Sequence, residues 1–86
     1  VKKSSQVITR KVLETTLLLP MKASKDGLWA YEMNEVAAVL WDGIEADSTP
    51  ESLAAKLQEV FDISSAEALR DTNEFLTEMK SIGALD

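Results

Sequence analysis

Three groups of residues in this chain have types and spacing suited to chemistry or binding. Asp42, Glu45 and Asp47 crowd together at the end of a helical pattern and could share a cation or a proton. They lack the Asp-x-Asp-x-Asp-Gly order of a calcium loop, and Glu32 with Glu35 is no better arranged. Solvated acids at a loop mouth are the commoner use of such residues. The second group is Leu28, Trp29, Ala30, Tyr31, Glu32 and Met33, a β-prone run with one charge and no proline. At the edge of a sheet it would present unpaired N–H and C=O groups that another chain could complete. The third is Leu69, Asn73, Leu76 and Lys80, spaced to fall along one side of a helix.

The chain has no cysteine and no histidine. Disulfides, thiol nucleophiles, Cys/His zinc sites and imidazole acid–base catalysis are therefore excluded. No catalytic constellation, metal site or cofactor motif is expected, and the chain reads as a binding protein rather than an enzyme. Its 86 residues, 45% apolar and 28% charged, suit a single globular domain over residues 1–86 with a flexible N-terminus at 1–5. Neither a membrane span nor a signal peptide is apparent, since the longest apolar stretch, Leu17 to Leu19 with Pro20 and Met21, is too short. A cytoplasmic location is expected.

The positioning elements change character near Asn34. Before it come Val7–Val12 and Thr15–Leu19, joined by Leu13-Glu14 without the Gly or Asn of a strong hairpin turn. Asp26-Gly27 is the best turn dipeptide, and Leu28–Met33 follows as a third strand with Trp29, Tyr31 and Met33 on one face. Asn34 then caps a helix with an apolar stripe of Val36, Ala37, Val39, Leu40, Trp41 and Ile44. Thr49-Pro50 opens a second helix, buried through Leu53, Ala54, Leu57, Val60 and Phe61. Ser64 and Glu67 fit a capping box for a third, which ends about Ile82 at Gly83. Three strands followed by three helices is an α+β layout, its last two helices forming a helix-turn-helix-sized unit.

That unit invites a comparison with DNA-binding regulators, which its charge opposes. Ser65 to Ile82 carries Arg70 and Lys80 against Glu67, Asp71, Glu74 and Glu78, and Pro50 to Asp62 carries Lys56 against Glu51, Glu59 and Asp62. Both helices are net negative and would be repelled by phosphates. Across the chain of net charge −6, the cations gather in residues 1–25 and the acids in residues 26–86. No nucleic-acid partner is expected. A plain dimerisation module, pairing two copies through a sheet edge, is the other alternative class.

If the three strands form an antiparallel meander, the third is an edge able to accept a peptide as an added strand. The last helix offers a second wall. With Thr72 and Met79 centring its core stripe, Leu69, Asn73, Leu76 and Lys80 lie on one shoulder and Asp71, Phe75, Glu78 and Ile82 on the other. The sequence leaves open which shoulder flanks the strand.

The stretch Tyr31 to Ile44, YEMNEVAAVLWDGI, resembles the PqqD family, with its small-residue helix and Leu-Trp pair. Thr49-Pro50-Glu51-Ser52-Leu53, Leu57, Phe61-Asp62-Ile63, Phe75-Leu76 and Gly83-Ala84-Leu85 extend the resemblance over residues 6–86. Where the family usually has Leu before Asn, this chain has Met33, a volume-conserving exchange. The resemblance implies a three-stranded antiparallel sheet followed by three helices, winged helix-turn-helix-like. It also implies a non-catalytic peptide recognition element that binds the leader of a ribosomally made precursor peptide. The leader would add to Leu28–Met33, lie against the last helix at Leu69, Asn73, Leu76 and Lys80, and be presented to a radical S-adenosylmethionine enzyme, as in pyrroloquinoline quinone synthesis.

Overall fold

The computed structural model describes residues 2–5, 7–20 and 30–85. The chain order is β1 (Val7–Val12), β2 (Thr15–Pro20), β3 (Tyr31–Met33), α1 (Glu35–Gly43), α2 (Pro50–Val60) and α3 (Ser65–Ser81). The strands form an antiparallel sheet in the order β1-β2-β3, with Val12 opposite Thr15 and Leu18 opposite Tyr31. The α+β architecture expected from the sequence is therefore the observed one.

Only Leu13 and Glu14 separate the paired ends of β1 and β2, and Leu13 takes φ +58. Positive φ at the first connecting residue alone is the type II′ pattern, a position that glycine usually fills. Leu13 is 96% exposed and Val12 is also exposed, so the hairpin tip contributes nothing to the core. Thr16 and Leu18 alternate inward from β2, and Met33 does so from β3.

Each helix begins where a side chain can satisfy its free backbone donors. Asn34 Oδ1 accepts from the Ala37 N–H (2.8 Å) to start α1. At α2, Thr49 and Ser52 bond reciprocally, with Pro50 at the start, so a capping box forms there. At α3, Ser64 Oγ accepts from the Glu67 N–H (3.1 Å), while the Glu67 carboxylate lies 3.8 Å from Arg70. The reciprocal box expected at Ser64 and Glu67 is thus found one helix earlier.

The end of α3 is a Schellman turn. Gly83 takes φ +78 and donates to Lys80 O (3.2 Å), and the Ala84 N–H reaches Met79 O (2.9 Å). The turn sends Ala84 and Leu85 back into the core. There Ser4 N–H donates to Ala84 O (2.8 Å) and Lys3 bridges Leu85. Lys3 and Ser4, within the segment 1–5 expected to be a flexible N-terminus, thus meet the C-terminal turn.

Leu18, Leu40, Leu53, Leu57, Thr72 and Met79 are the largest fully buried side chains. They join the sheet, all three helices and the C-terminal turn in one core. Trp41 anchors one side of it, its Nε1–H donating to Thr9 Oγ1 (2.9 Å) and the Lys3 ammonium lying 4.8 Å from its ring centre. Val60, expected inside, is 61% exposed, because it closes α2 just past the buried Leu57.

Candidate functional site

The third strand is shorter than its sequence suggests. Pairing with β2 covers Tyr31, Glu32 and Met33, while Ala30 is exposed and precedes the strand. Leu28 and Trp29 lie outside the described residues. As its alternation requires, Met33 is buried, Tyr31 is half-buried and Glu32 faces out. One side of β3 pairs with β2, and among the described residues no strand pairs with the other. Backbone direction alternates along a strand, so the open edge offers either the groups of Glu32 or those of Tyr31 and Met33.

A cleft of about 240 Å³ lies between this strand and α3. One wall is Tyr31, Asn34, Val36 and Ala37, from the end of β3 and the first turn of α1. The other is Asp71, Glu74, Phe75 and Glu78 from α3, residues three and four apart and so on one helix face. Phe75 and Ala37 are buried, which makes the floor apolar, whereas Glu74 and Glu78 are exposed. Among the described residues the lining holds three carboxylates and no lysine or arginine. A second, shallower depression continues over Asn73, Glu74, Thr77, Glu78 and Ser81.

Tyr31 and Glu78 face each other across the cleft. Burial, then the hydrogen-bonding and charge of the nearby Glu78 carboxylate, push the Tyr31 hydroxyl up from 10.0 to about 12, so it stays neutral at pH 7. Asp71 has a partner on its own helix, Arg70 Nε at 3.8 Å.

The α3 residues named from sequence fall elsewhere. Leu76 is buried, Leu69 packs half-buried against the core, Lys80 is exposed outside both depressions, and Asn73 lines the second one. The shoulder that faces β3 is the other, through Asp71, Phe75 and Glu78, with Glu74 beside them. Asn34, Val36, Ala37 and Glu74 are further lining residues that the sequence did not single out. The signal for the α3 wall was its acidic shoulder, already visible at helical spacing. Only the rotation of the packed helix turns it toward the strand.

Asp42, Glu45 and Asp47 are all exposed. Among the described residues no group of three acids, histidines or cysteines is placed to hold a metal ion. No helix of the described residues is long and apolar enough to cross a membrane. The described site is a cleft beside an open strand edge, a geometry for holding an extended chain.

The model of the family described as coenzyme PQQ synthesis protein D (PqqD) matches residues 19–85, which takes in β3, all three helices and both walls of the cleft. The chain belongs to the PqqD family. No curated protein matches it in sequence. In solved structures, TbiB1 in complex with the TbiA(beta) leader peptide has the same fold, with a TM-score of 0.82 at 19% identity over 100% of this chain and 95% of that one. Lasso peptide synthetase B1 complexed with the leader peptide is similar, with a TM-score of 0.78 at 18% identity over 96% of this chain and 93% of that one. At such identities the likeness establishes the fold. Both neighbours are PqqD-like in architecture, and each is a complex with a leader peptide.

Proposed function

We propose that this PqqD-family domain is a non-catalytic leader-peptide recognition element. The leader of a ribosomally made precursor adds as a strand to the open edge of β3 and lies in the cleft against α3. The observation that carries this reading is an unpaired edge facing a helix-walled cleft, in a fold whose solved neighbours are leader-peptide complexes. Backbone pairing gives generic affinity, and the cleft lining selects the sequence. Holding the precursor beside an enzyme raises the reaction rate through effective concentration, which needs no catalytic group on the domain.

Family membership supports a radical S-adenosylmethionine enzyme as the recipient, in pyrroloquinoline quinone synthesis or a related cytoplasmic peptide pathway. Both fold neighbours are leader-peptide complexes and one is a lasso peptide synthetase, so the leader reading rests on firmer support than any one downstream chemistry. The pairing segment is assigned to Leu28 to Met33. Of the residues Leu69, Asn73, Leu76 and Lys80, the exposed Asn73 and Lys80 remain a candidate outer contact along α3 where the leader runs past the cleft, whereas Leu76 is buried and Leu69 packs against the core.

The test is an amide-resolved NMR titration of the chain with leaders of short peptides encoded beside it. Shifts centred on Tyr31–Met33 and on Asp71–Glu78 are expected. Ala30 and Glu32 share one backbone direction and Tyr31 and Met33 the other, so proline at one of these pairs removes only outward N–H groups. Ala30→Pro abolishes binding if its N–H faces outward. Unchanged affinity in folded proline variants of both parities would refute strand addition here. Mass that rises with concentration, with no response to peptide, would favour a homodimer paired through the sheet edge.

A further inference from the structure

The charge of the cleft restricts what can lie in it, a deepening that rests on the strand-addition reading above. Glu74 and Glu78 stand at its rim, one helical turn apart. A rise of 1.5 Å per residue puts them about 6 Å apart along α3. Residues i and i+2 of an extended chain lie about 6.6 Å apart and point to the same side. A strand running along α3 therefore presents alternate side chains to the two carboxylates nearly in register.

Among the described residues these carboxylates have no cation partner. Arg70 lies against Glu67 and Asp71, the acids on either side of it in sequence. Among the described residues neither Glu74 nor Glu78 forms an ion pair, and none that lines the cleft is basic. Glu78 faces the Tyr31 hydroxyl, but a carboxylate has two oxygens and room for a further donor. Between the two acids Phe75 forms the apolar floor, a surface for the methylene stem of a lysine or arginine whose head reaches the rim.

We propose that the cleft between β3 and α3 takes an extended peptide bearing lysine or arginine at two alternate positions, paired with Glu74 and Glu78 while their stems cover Phe75. The same acids repel an acidic segment, so charge selects among peptides that the strand edge would otherwise accept alike.

The experiment uses the full chain and three fluorescently labelled twelve-residue peptides. They share a threonine- and valine-rich extended host and carry Lys, Gln or Glu at two alternate central positions. Binding is read by anisotropy at 50 and 500 mM salt. At low salt the Lys peptide is expected to bind about tenfold more tightly than the Gln peptide and the Glu peptide more weakly than both, the sum of two partly exposed pairs. High salt narrows the Lys–Gln gap to about two- or threefold, because the Debye length falls well below 10 Å. The double substitution E74Q/E78Q erases the preference. The double substitution E51Q/E59Q, which removes the same net charge from exposed positions of α2, leaves it intact.

Equal binding of the three peptides, with amide shifts at Tyr31–Met33, would overturn the charge selection and leave strand addition standing. A preference that survives E74Q/E78Q, or is lost equally in E51Q/E59Q, would assign it to net charge and overturn the proposal. If neither the three peptides nor any encoded leader binds, the strand-addition reading falls and the proposal with it. Both double variants change only exposed carboxylates to neutral amides of the same shape, and far-UV circular dichroism checks that each is folded.

Discussion

Tyr31→Phe removes one oxygen, the hydroxyl that meets the Glu78 carboxylate across the cleft. The shift of the hydroxyl from 10.0 to about 12, with burial as its largest cause, is a penalty of up to about 2.7 kcal/mol on the tyrosinate. The interaction of the neutral hydroxyl with Glu78, screened by water at the cleft mouth, is worth about 1 kcal/mol. The sign follows from proton linkage. Unfolded Tyr31 loses its proton near pH 10, whereas the folded protein holds it to about 12. The stabilisation is therefore complete below pH 10 and is lost as the pH rises from 10 to 12. Tyr31→Phe lacks this titration, while every other group is common to both proteins and cancels in the difference. Wild type should exceed the variant by about 1 kcal/mol in urea unfolding at pH 7 to 9, with the gap closing above pH 10. Tyr31 is the one tyrosine in the chain, so tyrosinate absorbance reports it alone. Its midpoint should lie near 12 in the native protein and near 10 in urea. A native midpoint at 10, or a stability difference that stays flat from pH 7 to 11, would refute the interaction across the cleft.

Three further outcomes follow from the packing. Thr72 is fully buried and its hydroxyl has no hydrogen-bond partner, so Thr72→Val should stabilise the domain by about 1 kcal/mol. That would appear in a thermal melt as a rise of about 4–8 °C, and an unchanged or lower midpoint would count against an orphaned hydroxyl. The Lys56 ammonium donates to Gly43 O (2.6 Å) at the end of α1, whose last turn has no basic residue of its own. Lys56→Met should cost about 1 kcal/mol in urea unfolding while leaving peptide titrations unchanged. At the exposed hairpin tip, Leu13→Gly removes a left-handed leucine that contacts no core residue. Relief of about 1–2 kcal/mol of backbone strain outweighs the added freedom of the unfolded chain, so the melting temperature should rise by a few degrees, and a fall would show that the leucine is used by the fold.

The bonds that start and stop the helices close within five residues, and they were legible one by one. Asn34, Thr49 with Pro50, Ser64 and Gly83 each stand where the structure begins or ends a helix. The first hairpin was legible from its β-branched runs even without a glycine at its turn. The exclusion of thiol and imidazole chemistry needed only composition, and the order of three strands and three helices already implied an exposed sheet edge. The tertiary structure decided matters that depend on several elements at once. Pairing with β2 limits β3 to Tyr31–Met33 among the described residues, although β2 itself runs on past Leu18 to Pro20. The two shoulders of α3 lie symmetrically about Thr72 and Met79, so helical periodicity could not choose between them. Leu69 and Leu76 pack against and within the shared core, and that packing turns Asp71, Glu74 and Glu78 toward the strand. The identities of the acids belong to the sequence; their meeting with an open backbone edge belongs to the rotation of one packed helix.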